Sequence, residues 1–309
     1  MPVNSVTCKL MGSVFELKII DEDQKKATEN LQLGINEIKR LENLLTEFDD
    51  TSYTSLINLN AGKSAVKVPE EVFQIIQRSN DLSSLTNGYF DISVGPLKKI
   101  YQFKNEVFEM PSKKNIIRTL QKVGYPYIEL NSNEQTIFLK RTEMHISFAA
   151  IGKGYAADAV KQLWKKNGIN SGYINASGDL TAFGHNENNK LWNVGIANPD
   201  NQESVLFYVP LNNASVATSG DYEQHFIYNN TRYSHNINPK TGTPIKGIKS
   251  VSVFSPSAEL SDALATAVYA MGTKKGIDFI NQLPQTHTII IDEKNTINFS
   301  QDLQYESIS

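Results

Sequence analysis

What this 309-residue chain lacks narrows its chemistry before any motif is considered. It has one cysteine, Cys8, and so can form neither an intrachain disulfide nor a cysteine-based metal site. No apolar run approaches the roughly 20 residues that a bilayer-crossing helix needs, so no membrane span is expected. Basic charge is not in excess: 30 Lys and Arg stand against 33 Asp and Glu, a net charge of −3 with a pI near 6.0. Nothing in that balance favours nucleic acid or another polyanion as partner. Lys165-Lys166 and Lys274-Lys275 read as solvated helix faces. Repeats, sustained heptads and disordered linkers are also missing. Residues 1–7 have neither the charged start nor the apolar segment of a signal peptide, and Cys8 follows no lipoprotein-type leader. As it stands the sequence is expected to be cytoplasmic; the alternative is an exported protein whose leader has been removed.

With 40% hydrophobic residues the chain can bury a substantial core. Val14 to Ile20 alternates as a half-buried strand. Asp23 to Phe48 carries the apolar stripe Leu31, Ile35, Ile38, Leu41 and Leu45 of a long amphipathic helix. Pro69 opens a helix through Arg78, and Asn87-Gly88 marks a turn before a short strand, Phe90 to Val94, stopped by Gly95-Pro96. Lys98 to Met110 reads as an irregular excursion, Asn115 to Val123 as a short helix, and Tyr127–Leu130 with Thr136–Leu139 as a hairpin. Ile146 to Ile151 reads as a strand running through Gly152-Lys153-Gly154 into a helix from Tyr155 to Lys166. Strands follow at 172–175, 192–196, 205–209, 214–218, 251–254 and 288–292, with a sharp turn at Thr218-Ser219-Gly220-Asp221, a hairpin around Asn229-Asn230 and a helix from Gly276 to Leu283. The last dozen residues look weakly specified. Without regular βαβ alternation, the mix favours α+β over a doubly wound fold.

Several residues can carry chemistry. Glu259 to Gly272 reads as an Ala- and Leu-rich helix in which Asp262 and Thr266, four apart, share one face. A carboxylate beside a hydroxyl suits a hard cation such as Mg²⁺; equally, Asp262 can cap the helix and Thr266 can bond back to the backbone. Gly152-Lys153-Gly154 before a helix offers free N–H groups and a full positive charge to a phosphate, though not at Walker A spacing. Asp91 and Asp179 are acids at turns, where binding local N–H groups is the ordinary role. Tyr53 can stack on a ring or pack in the core. Thr218 and Ser219 supply hydroxyls and N–H groups. Five histidines are present, His145, His185, His225, His235 and His287, and most are expected to be surface or hydrogen-bonded residues.

Seven blocks in order give these residues a common setting. They are Met11-Gly12-Ser13, Gly88-Tyr89-Phe90-Asp91 with Gly95-Pro96-Leu97, Ile151-Gly-Lys153-Gly-Tyr-Ala-Ala-Asp158, Asn175-Ala-Ser-Gly178-Asp179, Ala217-Thr218-Ser219-Gly220, His235-Asn-Ile-Asn-Pro239-Lys-Thr241-Gly242-Thr-Pro244, and Asp262-Ala-Leu-Ala-Thr266-Ala with Met271-Gly272. Together, over about residues 8–292, they resemble the flavin transferase family, the FAD:protein FMN transferases. The resemblance implies one intertwined α+β body, perhaps of two subdomains with FAD in the cleft between them. It implies Mg²⁺-dependent transfer of FMN from FAD to a Ser or Thr hydroxyl of an acceptor flavoprotein, with release of AMP. It implies a metal held by Asp262, Thr266 and the Ala150 carbonyl, and FAD contacts from Met11, Tyr53, Tyr89, Phe90, Asp91, Ser147, Lys153, Thr218, Ser219 and His235. His235 is the implied general base, with Asp179 as an alternative or orienting acid. Three positions depart from the family pattern: Ser147 and Tyr53 where an acid is usual, and Ser177 where a Gly is usual. A FAD pyrophosphatase giving FMN and AMP, or a non-catalytic FAD-binding protein, are the competing readings.

Overall fold

The computed structural model describes residues 2–101, 103, 108–220 and 225–307. The chain opens with a hairpin, β1 (Val3–Leu10) and β2 (Ser13–Ile20), in which Phe15, Leu17 and Ile19 are fully buried. Its turn residues Met11 and Gly12 have φ of 50° and 73°, the left-handed pair that lets a two-residue turn match the twist of its strands. The long amphipathic helix is α1 (Gln24–Leu45), whose first turn is capped by the Asp23 side chain accepting from Lys26 N–H. Next come α2 (Tyr53–Leu59), β3 (Val66–Lys67), α3 (Glu70–Leu85), α4 (Gly95–Tyr101), α5 (Lys113–Leu120), β4 (Ile128–Asn131) and β5 (Thr136–Leu139). Then follow α6 (Gly152–Lys166), β6 (Gly172–Ala176), β7 (Asp179–Phe183), β8 (Trp192–Asn198), β9 (Asn201–Leu211), β10 (Ser215–Gly220), β11 (His225–Tyr228) and β12 (Thr231–Ser234). The chain ends with β13 (Ile248–Ser255), α7 (Ala258–Met271), α8 (Thr273–Ile280), β14 (His287–Asp292), β15 (Ile297–Phe299) and β16 (Glu306–Ser307).

Among the described residues the main sheet runs β1-β2-β6-β7-β10-β13-β14-β15, with antiparallel neighbours throughout. Side chains alternate across it, as the pleat requires. On β10, Val216 joins the core beneath the β8–β9 ribbon, whereas Ala217 joins the core beneath α7 and α8. Helices α1 and α6 cover the β2–β6 end through Leu31, Ile38, Leu41, Val160 and Trp164. A further core joins α2, α3 and the small sheet β3-β5-β4.

Helix α7 ties these layers together. Leu264, Ala265, Val268 and Tyr269 pack on the main sheet, Ala263 and Ala267 enter the core shared with α2 and α3, and Ala258 meets the core under α1 and α6. A helix apolar nearly all round must be buried on several sides. Its small residues let neighbours come close, most of all at Gly154 of α6, where a Cβ would meet the Ala258 carbonyl. Gly154→Ala is therefore expected to destabilise the protein by about 3 kcal/mol, because backbone cannot yield cheaply to an added methyl. Thermal unfolding roughly 5 °C or more below wild type would show this; an unchanged Tm would mean the two helices part without cost.

Several sequence expectations need correction. Phe90 to Val94 is a turn and not a strand, and Gly95-Pro96 begins α4 where a stop was expected. The Asp91 carboxylate causes it, accepting from the Ser93 N–H and hydroxyl at 2.8 and 2.6 Å and folding the chain back on itself. Ile146 to Ile151 is not a strand either. Asn58 accepts from the Ile146 N–H and donates to its carbonyl, occupying the groups a strand partner would need. Helix α6 starts at Gly152, so Gly152-Lys153-Gly154 is its first turn and no separate loop. Helix α3 runs to Leu85, well past Arg78. Within the expected excursion after Lys98, residues 98–101 are helical, and residues 102 and 104–107 lie outside the described residues. Strand β10 continues through Gly220 without the expected turn; Asp221 lies outside the described residues. The C-terminal stretch is specified: β16 pairs with β9, and Tyr305 stacks on Phe299. No described helix is long and apolar enough to cross a membrane.

Candidate functional site

The first turn of α6 is where the candidate residues meet. Lys153 Nζ lies 2.5 Å from Asp179 Oδ2. Asp179 begins β7 after the hairpin turn Ser177-Gly178, whose φ values of 53° and 101° suit the two left-handed positions there. The acid is 3% exposed, and its Oδ1 accepts from Thr218 N–H at 3.1 Å. Its Oδ2 has the Lys153 ammonium as its partner. Thr218 in turn shares a 2.8 Å hydroxyl contact with Ser252.

One residue further along α6, the Gly154 N–H donates to Asp262 Oδ2 at 3.1 Å. Asp262 is 6% exposed and sits inside α7, five residues past the true cap. That cap is Ser257, whose side chain accepts from Leu260 N–H, so Asp262 does not cap the helix. Thr266, one turn on, is half-buried with its hydroxyl 3.5 Å from that of Ser219. Ala150 lies two residues ahead of α6 and is half-buried. The Asp262 carboxylate and the Thr266 hydroxyl, one turn apart, are oxygen donors of the kind Mg²⁺ prefers. The described residues contain no cluster of three or more His, Cys, Asp or Glu.

The same helix start borders a cavity of about 400 Å³. Met11, Phe48, Phe148, Ser147, Lys153 and Glu47 are among its walls. Met11 is held there by its N–H, which donates to Glu42 Oε1 at 2.8 Å. The α6 N-terminus and Lys153 make one end of the cavity electropositive, while Glu42 and Glu47 make another part acidic.

Other candidates lie elsewhere. Phe90 is 1% exposed and belongs to the core, and Tyr53 packs half-buried against that core at the start of α2. The Asp91 carboxylate is engaged locally, its Oδ2 accepting from Tyr125 N–H at 2.8 Å; burial pushes its pKa up against those hydrogen bonds. Tyr89 lies under Lys240 and Lys275, 4.9 and 4.5 Å from its ring centre. His235 follows β12 at the head of the loop 235–244. That loop is fastened to α7 by Asn238 Nδ2 donating to the Ala270 carbonyl at 3.1 Å, and to α4 by Tyr101 donating to the Gly242 carbonyl at 2.6 Å. Ala270 is one turn past Thr266, so the loop that begins at His235 is tied to the helix that carries Asp262 and Thr266.

The roles of two acids, Asp158 and Glu47, were not legible beforehand. Asp158 accepts from Glu259 N–H at 2.9 Å and so anchors the start of α7, with burial raising its pKa. Glu47 hydrogen-bonds Ser147 Oγ at 2.6 Å. Each bridges about a hundred residues, a separation that leaves no local periodicity to read.

An antiparallel sheet covered by helices, with a cavity at the glycine-opened start of one helix whose first turn is paired with two buried acids, defines an α+β protein. The chain belongs to the ApbE family, whose model matches residues 11–291. It is 29% identical over 300 residues to an FAD:protein FMN transferase of Klebsiella pneumoniae (strain 342), covering 96% of this chain and 92% of that protein. It is 26% identical to the FAD:protein FMN transferase of Escherichia coli (strain K12), covering 97% and 87%. The crystal structure of the ApbE protein from Thermotoga maritima MSB8 superposes with a TM-score of 0.89 at 26% identity, over 97% of both chains. The apo flavinyl transferase ApbE of Pseudomonas stutzeri shares the fold, with a TM-score of 0.87 at 23% identity over 97% of this chain and 95% of that one.

Proposed function

We propose that the protein transfers FMN from FAD to a Ser or Thr hydroxyl of an acceptor flavoprotein, releasing AMP. The observation that carries this reading is the convergence at one helix turn: Lys153 against Asp179, and Gly154 N–H against Asp262, beside a cavity of about 400 Å³. Family membership supports the substrate, since the relatives above are FAD:protein FMN transferases. In the transfer, the acceptor oxygen bonds to the phosphorus of the FMN half. The bond from that phosphorus to the bridging oxygen breaks, and AMP leaves with that oxygen. Lys153 and the positive end of the α6 dipole bind the pyrophosphate and stabilise charge as it shifts toward the leaving phosphate. Asp179, with Oδ2 2.5 Å from the ammonium, holds Lys153 in place. His235 takes the acceptor hydroxyl's proton as general base. Asp262, Thr266 and the Ala150 carbonyl would hold Mg²⁺, which when bound neutralises charge on the pyrophosphate oxygens.

The test is mass spectrometry of an acceptor flavoprotein domain incubated with this protein, FAD and Mg²⁺. The expected result is a covalent gain equal to an FMN phosphodiester, reduced about 10²- to 10⁴-fold in rate by His235→Ala, the usual contribution of a general base. Release of AMP without labelling of any acceptor offered would replace the transferase with a FAD pyrophosphatase. FAD bound without turnover would leave a carrier.

A further inference from the structure

The FAD cavity contains an acid that neither the sequence blocks nor the family likeness points to. Glu47 stands just beyond the C-terminal end of α1 and lines the cavity with Met11, Ser147 and Lys153. It also lines a second cavity of about 560 Å³ with His145 and Lys99, so it forms part of the partition between them. Its carboxylate is clamped from both sides. Oε1 accepts from Ser147 Oγ at 2.6 Å, and Oε2 lies 2.5 Å from His145 Nε2. His145 is itself placed, with Lys99 Nζ 3.3 Å from its Nδ1, and the next residue, Ile146, is gripped through its N–H and carbonyl by Asn58. Burial pushes the Glu47 carboxyl up. The hydrogen bonds from His145 and Ser147, with the charges of His145 and Lys98, outweigh it and hold the pKa below the usual range.

We propose that Glu47 is a positioning residue for FAD, taking over in this chain the part of an acid at position 147. Ser147 has no charge of its own, but it is the residue that orients Glu47. A carboxylate has about four lone-pair sites, and the two contacts to Ser147 and His145 leave both oxygens able to accept from an N–H or O–H edge of the ligand. Lys153 holds the anionic middle of the dinucleotide and Glu47 receives a donor elsewhere on it, which fixes the ligand's direction in the cavity. The clamp has a physical purpose: a carboxylate held in one rotamer loses little entropy when the ligand arrives.

This inference rests on FAD being the ligand, so the experiment begins with FAD titrated into the wild-type protein, followed by Glu47→Gln, Glu47→Ala and Glu47→Ala with Ser147→Asp. The wild type is expected to bind. Glu47→Gln is expected to raise the FAD Kd, and the KM for FAD, about tenfold or more, as for a lost hydrogen bond to a charged group. Its kcat should change little, as for an interaction made equally before and during reaction. Ser147→Asp is expected to restore most of the affinity lost in Glu47→Ala. Binding by the wild type with a Kd unchanged within twofold in Glu47→Gln would overturn the inference and leave the proposed function standing. So would a loss in Glu47→Ala that Ser147→Asp does not recover, since the acid would then serve only to hold 145–147 in place. No binding by the wild type would overturn both.

Discussion

Asp262→Asn is expected to remove Mg²⁺-dependent AMP release from FAD, by a factor of about 10³ or more, in a protein that still folds. The asparagine is chosen for what it keeps. In the native site Asp262 Oδ2 accepts from Gly154 N–H at 3.1 Å, and the side-chain carbonyl of Asn can accept the same bond. The junction of α6 with α7 therefore stays closed. What disappears is the negative charge, and with it the strongest of the three oxygen donors for a hard cation. A metal ion on a phosphoryl oxygen contributes several kcal/mol to the transition state. At 1.36 kcal/mol per factor of ten, about 4 kcal/mol corresponds to a thousandfold. AMP release measured against Mg²⁺ concentration, alongside a melting curve, checks both halves. Turnover that keeps its magnesium dependence would remove Asp262 from the metal set.

Much of the frame was legible from residue patterns because those patterns are local. The alternation of Phe15, Leu17 and Ile19 and the stripe of α1 appear where expected. So do the left-handed turns at Asn87-Gly88 and Asn229-Asn230, where Gly and Asn tolerate positive φ. The misreadings share a cause. Phe90 to Val94 has the composition of a strand, yet one aspartate's hydrogen bonds fold it into a turn. Ile146 to Ile151 looks like a strand, but the side chain of Asn58, distant in sequence, holds the Ile146 backbone. At the site, the spacing of Asp262 and Thr266 left helix capping open until Ser257 was seen to be the cap. The pairings Lys153 with Asp179, Gly154 with Asp262 and Ser147 with Glu47 join segments that only the tertiary fold brings together.

Lys153→Met is expected to do two separable kinds of damage. Asp179 is 3% exposed and its Oδ2 faces the Lys153 ammonium at 2.5 Å, so removing the ammonium leaves a buried carboxylate without its counter-charge. Breaking one partner of such a pair costs about 3 kcal/mol or more, which should appear as a Tm lowered by roughly 5 °C or more. The second loss is functional, since the charge that meets the pyrophosphate is gone. Adding Asp179→Asn separates the two. The amide keeps an acceptor for Thr218 N–H, bonded at 3.1 Å in the native protein, and removes the stranded charge, so stability should return to within about 1 kcal/mol of wild type. FAD turnover should stay at least about 100-fold down, because a neutral Met-Asn pair stabilises no developing phosphate charge. If the double variant recovers turnover along with its melting temperature, Lys153 is there to neutralise Asp179, and the phosphate is bound by the helix N-terminus without it.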